Sequence, residues 1–285
     1  MEAFRLRAEG AEAFVPDGVP LATALERTTH LGVGAHPDDL EIMASHGILA
    51  CYRKSDLWFT GVTMSNGGGS ARAGAFHDKT DAEMIAIRKL EQKKAAALGE
   101  YAAVVLLNYP SGAVKDAHHA DVADDLDAVL AATTPDMVYT HNLADKHDTH
   151  VAVALRVIAA VRRMAPARRP RRVIGCEVWR DLDWLDDTDK VRMPVDHDGT
   201  LASDLVSVFQ SQIAGGKRYD WASAGRRLAN ATFLESHAAD GSRALVFGMD
   251  LTPLATDEAK DPLVFVSEHI ERFLADVKAR IVRMG

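Results

Sequence analysis

The sequence predicts an α/β fold in which a mostly parallel sheet is flanked by helices. Short apolar segments rich in β-branched residues alternate with longer segments of helical periodicity along the 285 residues. Parallel strands joined by crossover helices require this alternation. A hydrophobic content of 47% with 26% charged residues is that of a globular protein able to bury its own core. No internal repeat emerges, so we expect a single domain over residues 1–285 with an elaborated C-terminal half.

The expected strands are spaced so that a helix fits between most of them. They cover residues 30–35, 57–63, 102–107, 136–140, 172–178 and 244–249. The expected helices carry apolar residues at three- and four-residue spacing and cover residues 40–53, 81–98, 121–132, 149–164 and 261–284. Gly99 marks the end of the second helix, because glycine is common just beyond a helix C-terminus. Strands and helices in this order predict a Rossmann-like arrangement.

The C-terminal segment, about residues 257–285, is predicted to be an amphipathic helix. Its apolar residues near one face are Val264, Val266, Ile270, Phe273, Leu274 and Val277. Such a face most often packs on the sheet of its own domain. We therefore expect this helix to have a structural role.

The overall charge argues against nucleic acid as a partner. The chain has 33 Lys and Arg residues against 41 Asp and Glu residues, so its formal net charge is -8, the wrong sign for attracting phosphates. The two cysteines, Cys51 and Cys176, are far apart in sequence. Neither a disulfide framework nor a thiolate zinc site is therefore indicated.

No segment indicates export or insertion into a membrane. Residues 1–10 lack the apolar core of a signal peptide, and no stretch approaches the roughly 18 apolar residues of a membrane span. We therefore expect a cytoplasmic protein without a membrane span. The sequence leaves the oligomeric state open, including a homo-oligomer.

The first chemically informative segment follows the first predicted strand. It contains His36, Asp38 and Asp39 at the end of that strand, where ligands bind in open α/β sheets. An imidazole and a carboxylate three residues apart across a proline turn can converge on one ion, which leaves Asp38 as a spare base. Alternatively, Asp38 or Asp39 only caps the helix that begins near Leu40. This segment alone does not separate the two interpretations.

A second polar cluster follows the strand predicted at residues 136–140. It contains Asp145, His147, Asp148 and His150, with the two histidines three residues apart. Asp148 is well placed to cap the next helix, and both imidazoles would then lie near the start of that helix. Two strand ends with ligand-type residues are less easily accidental than one, so the sequence favours a metal site.

Two imidazoles and one carboxylate, with one position left for water, are typical of a catalytic zinc site. We expect His36, Asp39 and His150 to bind one Zn²⁺ per chain. Fe²⁺ is the alternative metal, because it also accepts a donor set of this kind.

Two further residues complete a hydrolytic mechanism. Asp38 is the candidate general base that takes a proton from the metal-bound water. His147, if protonated, can donate a hydrogen bond to the developing oxyanion. Asp145 or Asp148 could keep His147 charged.

These segments resemble the PIG-L/LmbE-like family of zinc-dependent N-acetylglucosaminyl deacetylases. The first family motif, Ala-His-Pro-Asp-Asp-x-Glu, matches Ala35 to Glu41, and the second, His-x-x-His, matches His147 and His150. The resemblance implies the same zinc ligands, the same base and the same oxyanion partner. In the family the second motif often reads His-x-Asp-His, whereas Thr149 occupies the position of that aspartate here.

The resemblance also suggests substrate contacts. Residues 88–99 match a family helix whose arginine reaches substrate hydroxyls, which implies this role for Arg88; the alternative is an exposed arginine paired with a nearby glutamate. Residues 64–70 resemble a glycine-containing substrate loop and make Asn66 a candidate contact, although a flexible connection is the alternative. Trp179 could stack on a sugar face or belong to the core.

Together, these residues and the resemblance predict a zinc-dependent hydrolase that removes the N-acetyl group from an amino sugar. The resemblance supplies the expected partner, a small N-acetylated sugar such as an N-acetylglucosamine-containing glycoside. One alternative is an amidase acting on a related amide, such as a glucosaminyl thiol conjugate. Less favoured alternatives are magnesium-dependent phosphoryl transfer and a non-catalytic sugar-binding module, because imidazole ligands suit zinc better than magnesium and a base is present.

Overall fold

The computed structural model describes residues 4–285, and their strands form one sheet. The strand order in this sheet is β1-β4-β3-β2-β5-β6-β8-β7. The strands are β1 (Glu12–Phe14), β2 (His30–Gly34), β3 (Phe59–Ser65), β4 (Ala103–Tyr109), β5 (Met137–His141), β6 (Arg172–Cys176), β7 (Lys190–Pro194) and β8 (Leu245–Asp250). The α/β class expected from the sequence is therefore confirmed.

The centre of the sheet is parallel and its edges are antiparallel. Strands β4, β3, β2, β5 and β6 pair in parallel. At the edges, β1 pairs antiparallel with β4, and β8 pairs antiparallel with both β6 and β7. The order of the parallel strands reverses at β2, because β3 lies on one side of it and β5 on the other. A crevice is expected beyond the carboxyl ends of strands at such a reversal.

Helices cover both faces of the sheet. They are α1 (Leu21–Glu26), α2 (Asp39–Met43), α3 (Ser45–Cys51), α4 (Asp81–Leu98), α5 (Ser111–Lys115), α6 (Ala120–Thr133), α7 (Asp148–Arg163), α8 (Gly199–Ser207), α9 (Gln210–Ile213), α10 (Tyr219–Thr232), α11 (Thr252–Thr256) and α12 (Pro262–Met284). Among residues 4–285, no helix is long and apolar enough to cross a membrane.

The core lies on both faces of the central strands. In β4, Val104 and Leu106 belong to one buried cluster, whereas Val105 and Leu107 belong to another. Successive side chains of a strand point to opposite faces, so both faces of β4 are covered. This burial explains why the central strands appear in the sequence as continuous apolar runs.

The sequence predicts the long elements better than the short ones. Helix α4 has the predicted bounds, and its start is fixed by a capping box in which Thr80 and Glu83 bond to each other's backbone N–H groups. The single helix expected at residues 40–53 is instead two helices, because the backbone of Ala44 leaves the helical region between α2 and α3. The edge strands β1 and β7 were not expected from the sequence.

The expectation that the C-terminal helix packs on the sheet of its own domain is wrong. None of the residues of α12 is buried, and Phe273 and Leu274 are 43% and 49% exposed. The helix contacts the rest of the chain through Phe265, which packs against the core, and through an ion pair of 2.6 Å between Arg272 and Asp189.

Candidate active site

The residues of the two sequence motifs meet at the carboxyl ends of β2 and β5, where the strand order reverses. His36 follows β2, whereas His147 and His150 lie at the start of α7, which follows β5. A hydrogen bond of 3.0 Å from the Ala35 backbone N–H to His141 Nε2 joins the two strand ends. They form part of a cleft with a volume of about 850 Å³.

Three donor atoms of the predicted metal ligands converge in this cleft. The distance from His36 Nδ1 to Asp39 Oδ2 is 3.2 Å, and that from His36 Nδ1 to His150 Nε2 is 3.3 Å. The third distance, from His150 Nε2 to Asp39 Oδ2, is 3.5 Å. Ligands placed tetrahedrally at about 2.0 to 2.1 Å from zinc lie about 3.3 to 3.4 Å from one another. The triangle of donor atoms therefore has the dimensions of one face of a zinc coordination tetrahedron.

The electrostatics of the triangle also favour a cation. Burial acts to raise the pKa of Asp39, but the charges and hydrogen bonds of its histidine neighbours outweigh it and hold that pKa well below its usual range. Burial acts to lower the pKa of His150, but Asp39 and Asp145 raise it overall. The buried Asp39 carboxylate thus favours the charged form of the neighbouring imidazole. The same negative charge would favour a divalent ion at this position.

Asp145 orients one of the candidate ligands. Its Oδ2 lies 3.3 Å from His150 Nδ1, and both side chains are fully buried. A carboxylate that accepts the second ring N–H of a metal-binding histidine fixes the orientation and tautomer of the ring. The structure thus places Asp145 behind His150, not beside the His147 ring as the sequence suggested. A second cluster of two imidazoles and one carboxylate consists of His141, Asp145 and His150. In it, the rings of His141 and His150 stack with their centroids 3.8 Å apart.

Asp148 does not take the capping role predicted for it. The residue at the N-cap of α7 is His147, whose side chain makes no capping hydrogen bond, and Asp148 is the exposed first residue of the helix. The Asp145 side chain instead accepts the His147 backbone N–H at 3.0 Å. The loop before α7 is therefore held by an aspartate that lies three residues earlier than expected.

Asp38 is buried and held in an uncommon backbone conformation. Its φ is 100°, in a region that favours glycine, and its side chain makes no capping hydrogen bond to α2. One Asp38 oxygen accepts a hydrogen bond of 2.9 Å from Arg88, and the Asp38 N–H donates to Gln92 Oε1 at 3.2 Å. Burial raises the pKa of Asp38 well above its usual range, although the Arg88 guanidinium opposes the shift. Strain of this kind persists where the surrounding contacts enforce it.

One face of α4 supplies the contacts that hold this loop. Arg88 also bonds to the Pro37 carbonyl and to Ser70, and is 3% exposed. Gln92, one turn later on the same face, donates to Glu41 at 2.7 Å. Arg88 is therefore neither exposed nor paired with a neighbouring glutamate. It lines the cleft, but its guanidinium is already bonded to the candidate base.

His147 faces the candidate metal ligands, and the surroundings favour its neutral form. Its ring centroid lies 5.0 Å from that of His36 and 4.5 Å from that of His150. Burial lowers the pKa of His147, and the neighbouring His150 and His36 lower it further, whereas Asp39 and Asp145 oppose the shift without reversing it. Within residues 4–285, no atom is hydrogen-bonded to its Nδ1. The sequence-based expectation of a protonated His147 is thus not supported by these surroundings.

Of the other two predicted substrate contacts, one lies in the cleft. Trp179 lines it, with its ring 6.3 Å from that of His147 between centroids. Asn66 is not among the residues that line the cleft, and its side-chain oxygen accepts the Gly68 N–H at 3.1 Å. The backbone of the glycine-containing segment does line the cleft, through Gly67 and Gly69.

The sequence analysis missed several residues that complete the cleft. Those described by the structure with charged or phenolic side chains are Lys115, Lys146, Glu177, Lys217, Tyr219, Arg226 and Arg227. Most of them come from loops or from the C-terminal half, where no motif marks them. His141 had a detectable signal, because it is the last residue of β5 and begins the segment that leads to the second motif.

The fold and the site define an α/β protein with a candidate His₂Asp metal site in a strand-end cleft. Residues 31–161 match the model of the family described as PIG-L: GlcNAc-PI de-N-acetylase. The resemblance inferred from the motifs is therefore confirmed for this segment. Comparison with curated proteins found no match.

Solved structures share the fold at low sequence identity. The N,N'-diacetylchitobiose deacetylase from Pyrococcus horikoshii is 18% identical, with a TM-score of 0.60, over 78% of this chain and 82% of that chain. The A40926 pseudoaglycone deacetylase Dbv21 is 15% identical, with a TM-score of 0.57, over 79% of this chain and 98% of that chain.

The same fold is also found in a protein with a different name. The 4-carboxy-2-hydroxymuconate hydratase GalB from Pseudomonas putida is 16% identical, with a TM-score of 0.58, over 79% of this chain and 95% of that chain. Proteins named as deacetylases and a protein named as a hydratase thus share this fold. The fold alone does not identify the reaction, which must be inferred from the site.

The candidate metal site yields a direct prediction for His150. We expect His150→Ala to raise the Kd for zinc by more than about 100-fold, because changes in second-shell partners alone cost 10- to 100-fold. Asp145→Asn should lie within that smaller range. Calorimetric titration of zinc into the metal-free proteins measures both effects. The matched control is His118→Ala, which alters an exposed histidine outside the cleft. Wild-type affinity in His150→Ala would remove this residue from the ligand set.

Proposed function

We propose that the protein is a metal-dependent hydrolase that removes the acetyl group from an N-acetylated amino sugar. The observation that carries this proposal is the triangle of His36, Asp39 and His150 donor atoms beside the buried carboxyl group of Asp38. The match of residues 31–161 to the de-N-acetylase family supports the choice of reaction. The products would be acetate and a free amine.

The donor set fits zinc better than the other ions considered. Two imidazoles and one carboxylate suit zinc, whereas magnesium prefers oxygen ligands and retains several waters. Zinc bound by His36, Asp39 and His150 would lower the pKa of a coordinated water and polarise the amide carbonyl. Fe²⁺ remains the alternative ion for the same donor atoms.

Asp38 is the proposed general base and then the general acid. Its carboxylate takes a proton from the attacking water as the water oxygen bonds to the amide carbon. The carboxyl group then returns that proton to the nitrogen as the C–N bond breaks. The second proton of the water stays on the new acid group, so the immediate products are acetic acid and the amine, and proton transfer between them at neutral pH gives acetate and the ammonium form of the amine. Burial raises the pKa of Asp38, so the side chain holds a proton more firmly between its removal from water and its delivery to the nitrogen. Arg88 holds the carboxylate in place.

His147 is proposed to stabilise the oxyanion of the amide. Its Nδ1 is buried with no partner among residues 4–285, so the ring has an unused hydrogen-bonding atom. A neutral imidazole still carries one N–H donor, so the lowered pKa of His147 does not exclude this role. Trp179, next to His147, offers an aromatic face on which the sugar ring could stack.

An amidase acting on a glucosaminyl conjugate would use the same residues. The cleft is large enough to admit a sugar and reaches the candidate base Asp38, which a protein that only binds sugar does not need. A non-catalytic sugar-binding module is therefore less favoured. Magnesium-dependent phosphoryl transfer is disfavoured by the two imidazoles.

A second candidate function is hydration of an unsaturated carboxylate. The observations that favour it are the fold shared with the hydratase GalB and the lysines that line the cleft. In that reaction the water oxygen would bond to one carbon of a double bond and a proton to the other. Loss of the absorbance of 4-carboxy-2-hydroxymuconate on incubation with the zinc-loaded protein would favour this candidate over deacetylation.

Acetate release tests the proposed function. Zinc-loaded protein should release acetate from N-acetylglucosamine glycosides, and Asp38→Asn should reduce kcat by about 10²- to 10⁴-fold, the usual contribution of a general base. The zinc content should be unchanged, because Asp38 is not one of the proposed ligands. Asp204→Asn, which changes an exposed aspartate of α8, is the matched control.

Two results would contradict the proposal. Acetate release at the wild-type rate in Asp38→Asn would remove the base from the mechanism. If protein with one equivalent of bound zinc releases no acetate from any N-acetylated amino sugar, the proposed reaction is wrong.

A further inference from the structure

Three lysines from separate segments line the same cleft. Lys115 ends α5, Lys146 lies between β5 and α7, and Lys217 lies just before α10. These segments are far apart in sequence, so the fold brings the three ammonium groups to one cavity. In a chain with a formal net charge of -8, a local excess of positive charge is notable.

The protein does not neutralise these lysines. Across residues 4–285, none of the three has a carboxylate within ion-pair distance. The acidic residues of the cleft are already engaged: Asp38 bonds to Arg88, and Asp39 faces the candidate metal ligands. The third, Glu177, accepts hydrogen bonds from the Phe247 N–H and the Asn230 amide.

Lys217 connects the positive charge with the candidate sugar platform. Its ammonium nitrogen lies 5.1 Å from the centroid of the Trp179 ring. A cation at this distance from an aromatic face is attracted to the ring and is positioned by it. An anionic group on a sugar that stacks on Trp179 would therefore lie within reach of a positioned charge.

The arginines of the cleft do not substitute for the lysines. Arg227 is buried and donates to the carbonyls of Glu41 and Ala202, so its donors serve the structure. Arg226 donates to the Val178 carbonyl. Within residues 4–285, the three lysines are cations of the cleft that have no ion pair, and their ammonium groups are available to a ligand.

We propose that Lys115, Lys146 and Lys217 form a binding site for an anionic group of the substrate, a carboxylate or a phosphate. The identity of the remainder of the substrate as an N-acetylated amino sugar rests on the proposed function. The anionic group belongs to the sugar or to its aglycone and takes no part in the reaction. A positive site of this kind selects among amino sugars by charge and accelerates their capture at low salt.

The test compares two substrates that differ only in charge. They are the carboxymethyl glycoside of N-acetylglucosamine and its neutral methyl ester. With zinc-loaded protein, the acid should have a kcat/KM at least about 10-fold higher, since each exposed ion pair contributes up to about 5-fold. The difference in kcat/KM between the acid and the ester should come from KM. It should become smaller when the salt is raised to 0.3 M NaCl, because charges are then more strongly screened.

Variants connect the advantage with the lysines. Lys146→Gln and Lys217→Gln should each raise KM for the acid by about 2- to 5-fold more than they raise KM for the ester. The double variant should bring the two substrates close to equality. Lys94→Gln, an exposed lysine of α4 that does not line the cleft, is the matched control.

The outcomes separate this proposal from the proposed function. Equal kcat/KM for acid and ester would overturn the anionic site while deacetylation stood. If neither compound releases acetate, calorimetric binding to the same proteins decides the question. Tighter binding of the acid that is lost in the lysine variants would support the site although the proposed function failed, and equal or absent binding would overturn it.

A second and independent inference concerns the exposed face of α12. Its exposed apolar side chains recur at three-, four- and seven-residue spacing and form a stripe along the helix. The stripe comprises Leu263, Ile270, Phe273, Leu274, Ile281 and Met284. At 1.5 Å per residue, the 23 residues of α12 extend about 34 Å, which is long enough for paired helices to bury a continuous seam.

The charges of α12 indicate what covers this stripe. The first half of the helix carries Glu268, Glu271 and Arg272 and is net negative, whereas the second half is net positive and carries Asp276, Lys278, Arg280 and Arg283. Within the chain, Arg272 is already paired with Asp189 and Arg280 with Asp276. Two copies in antiparallel orientation place each acidic half beside the basic half of the other. A two-fold symmetric interface has this self-complementary property. A membrane surface suits the helix less well, because interfacial helices are usually rich in Lys and Arg on the polar face, and here acids are interspersed.

We infer that α12 pairs with the same helix of a second copy in antiparallel orientation. Light scattering during gel filtration of the full chain should show a dimer across micromolar concentrations. Ile270→Glu with Leu274→Glu should yield a monomer with unchanged circular dichroism. The matched control is Leu90→Glu, an equally exposed leucine of α4, which should remain a dimer.

Charge reversal tests the orientation. Lys278→Glu with Arg283→Glu should raise the dimer dissociation constant by at least about 10-fold, and adding Glu268→Lys with Glu271→Lys should restore it. A monomer at all concentrations, or an undisturbed dimer in Ile270→Glu with Leu274→Glu, would overturn the inference. Sedimentation of the monomer with vesicles of phosphatidylcholine and phosphatidylserine would identify a membrane as the occupant instead.

Discussion

The parallel pairing of β2 with β5 is the constraint on which the site depends. The register places Leu31 opposite Val138 and Gly32 opposite Tyr139, so the chain segments that leave both strands emerge side by side. Sequence positions more than a hundred residues apart thereby contribute donor atoms to one triangle. Close packing near β2 supports this arrangement: a Cβ on Gly34 would lie 3.1 Å from the Cβ of Asp39, which leaves little room for a larger residue beneath the loop.

Helix α4 turns that loop into a defined site. Arg88 and Gln92 reach Asp38 from one helical face, and Glu91 on the same helix accepts the Ser211 N–H at 2.7 Å. The helix therefore links the first motif to the C-terminal half that closes the cleft. A buried ion pair adds little stability once desolvation is counted. The ion pair between Arg88 and Asp38 mainly fixes the position of the Asp38 carboxylate. It thereby helps to maintain the backbone of Asp38 at a φ of 100°, a conformation that would otherwise relax.

Much of the fold and of the triangle follows from the sequence, for a clear physical reason. The central strands are buried on both faces, so their apolar runs are strong signals, and residues at their carboxyl ends must share one edge of the sheet. His36, Asp39 and His150 are each fixed by that edge. The contact of Asp145 with His150 Nδ1 was not predicted, because spacing shows which residues are near one another but not which ring nitrogen a carboxylate meets.

The features that sequence did not predict depend on long-range packing. The amphipathic pattern of α12 was recognised, but the pattern does not say whether the chain's own sheet or another surface covers the apolar face. Lys115, Lys146 and Lys217 carry no common motif, since only the folded chain brings them to one cavity. The edge strand β1 has three residues, too few for an alternating pattern to stand out.

If the proposal is correct, two imidazoles and one carboxylate hold a single metal ion in this cleft. X-ray absorption at the zinc K edge, on protein loaded with one equivalent, tests it most directly. We expect two imidazole ligands and further oxygen ligands at about 2.0 to 2.1 Å. Fewer than two imidazoles, or a zinc–sulfur distance of about 2.3 Å, would contradict it.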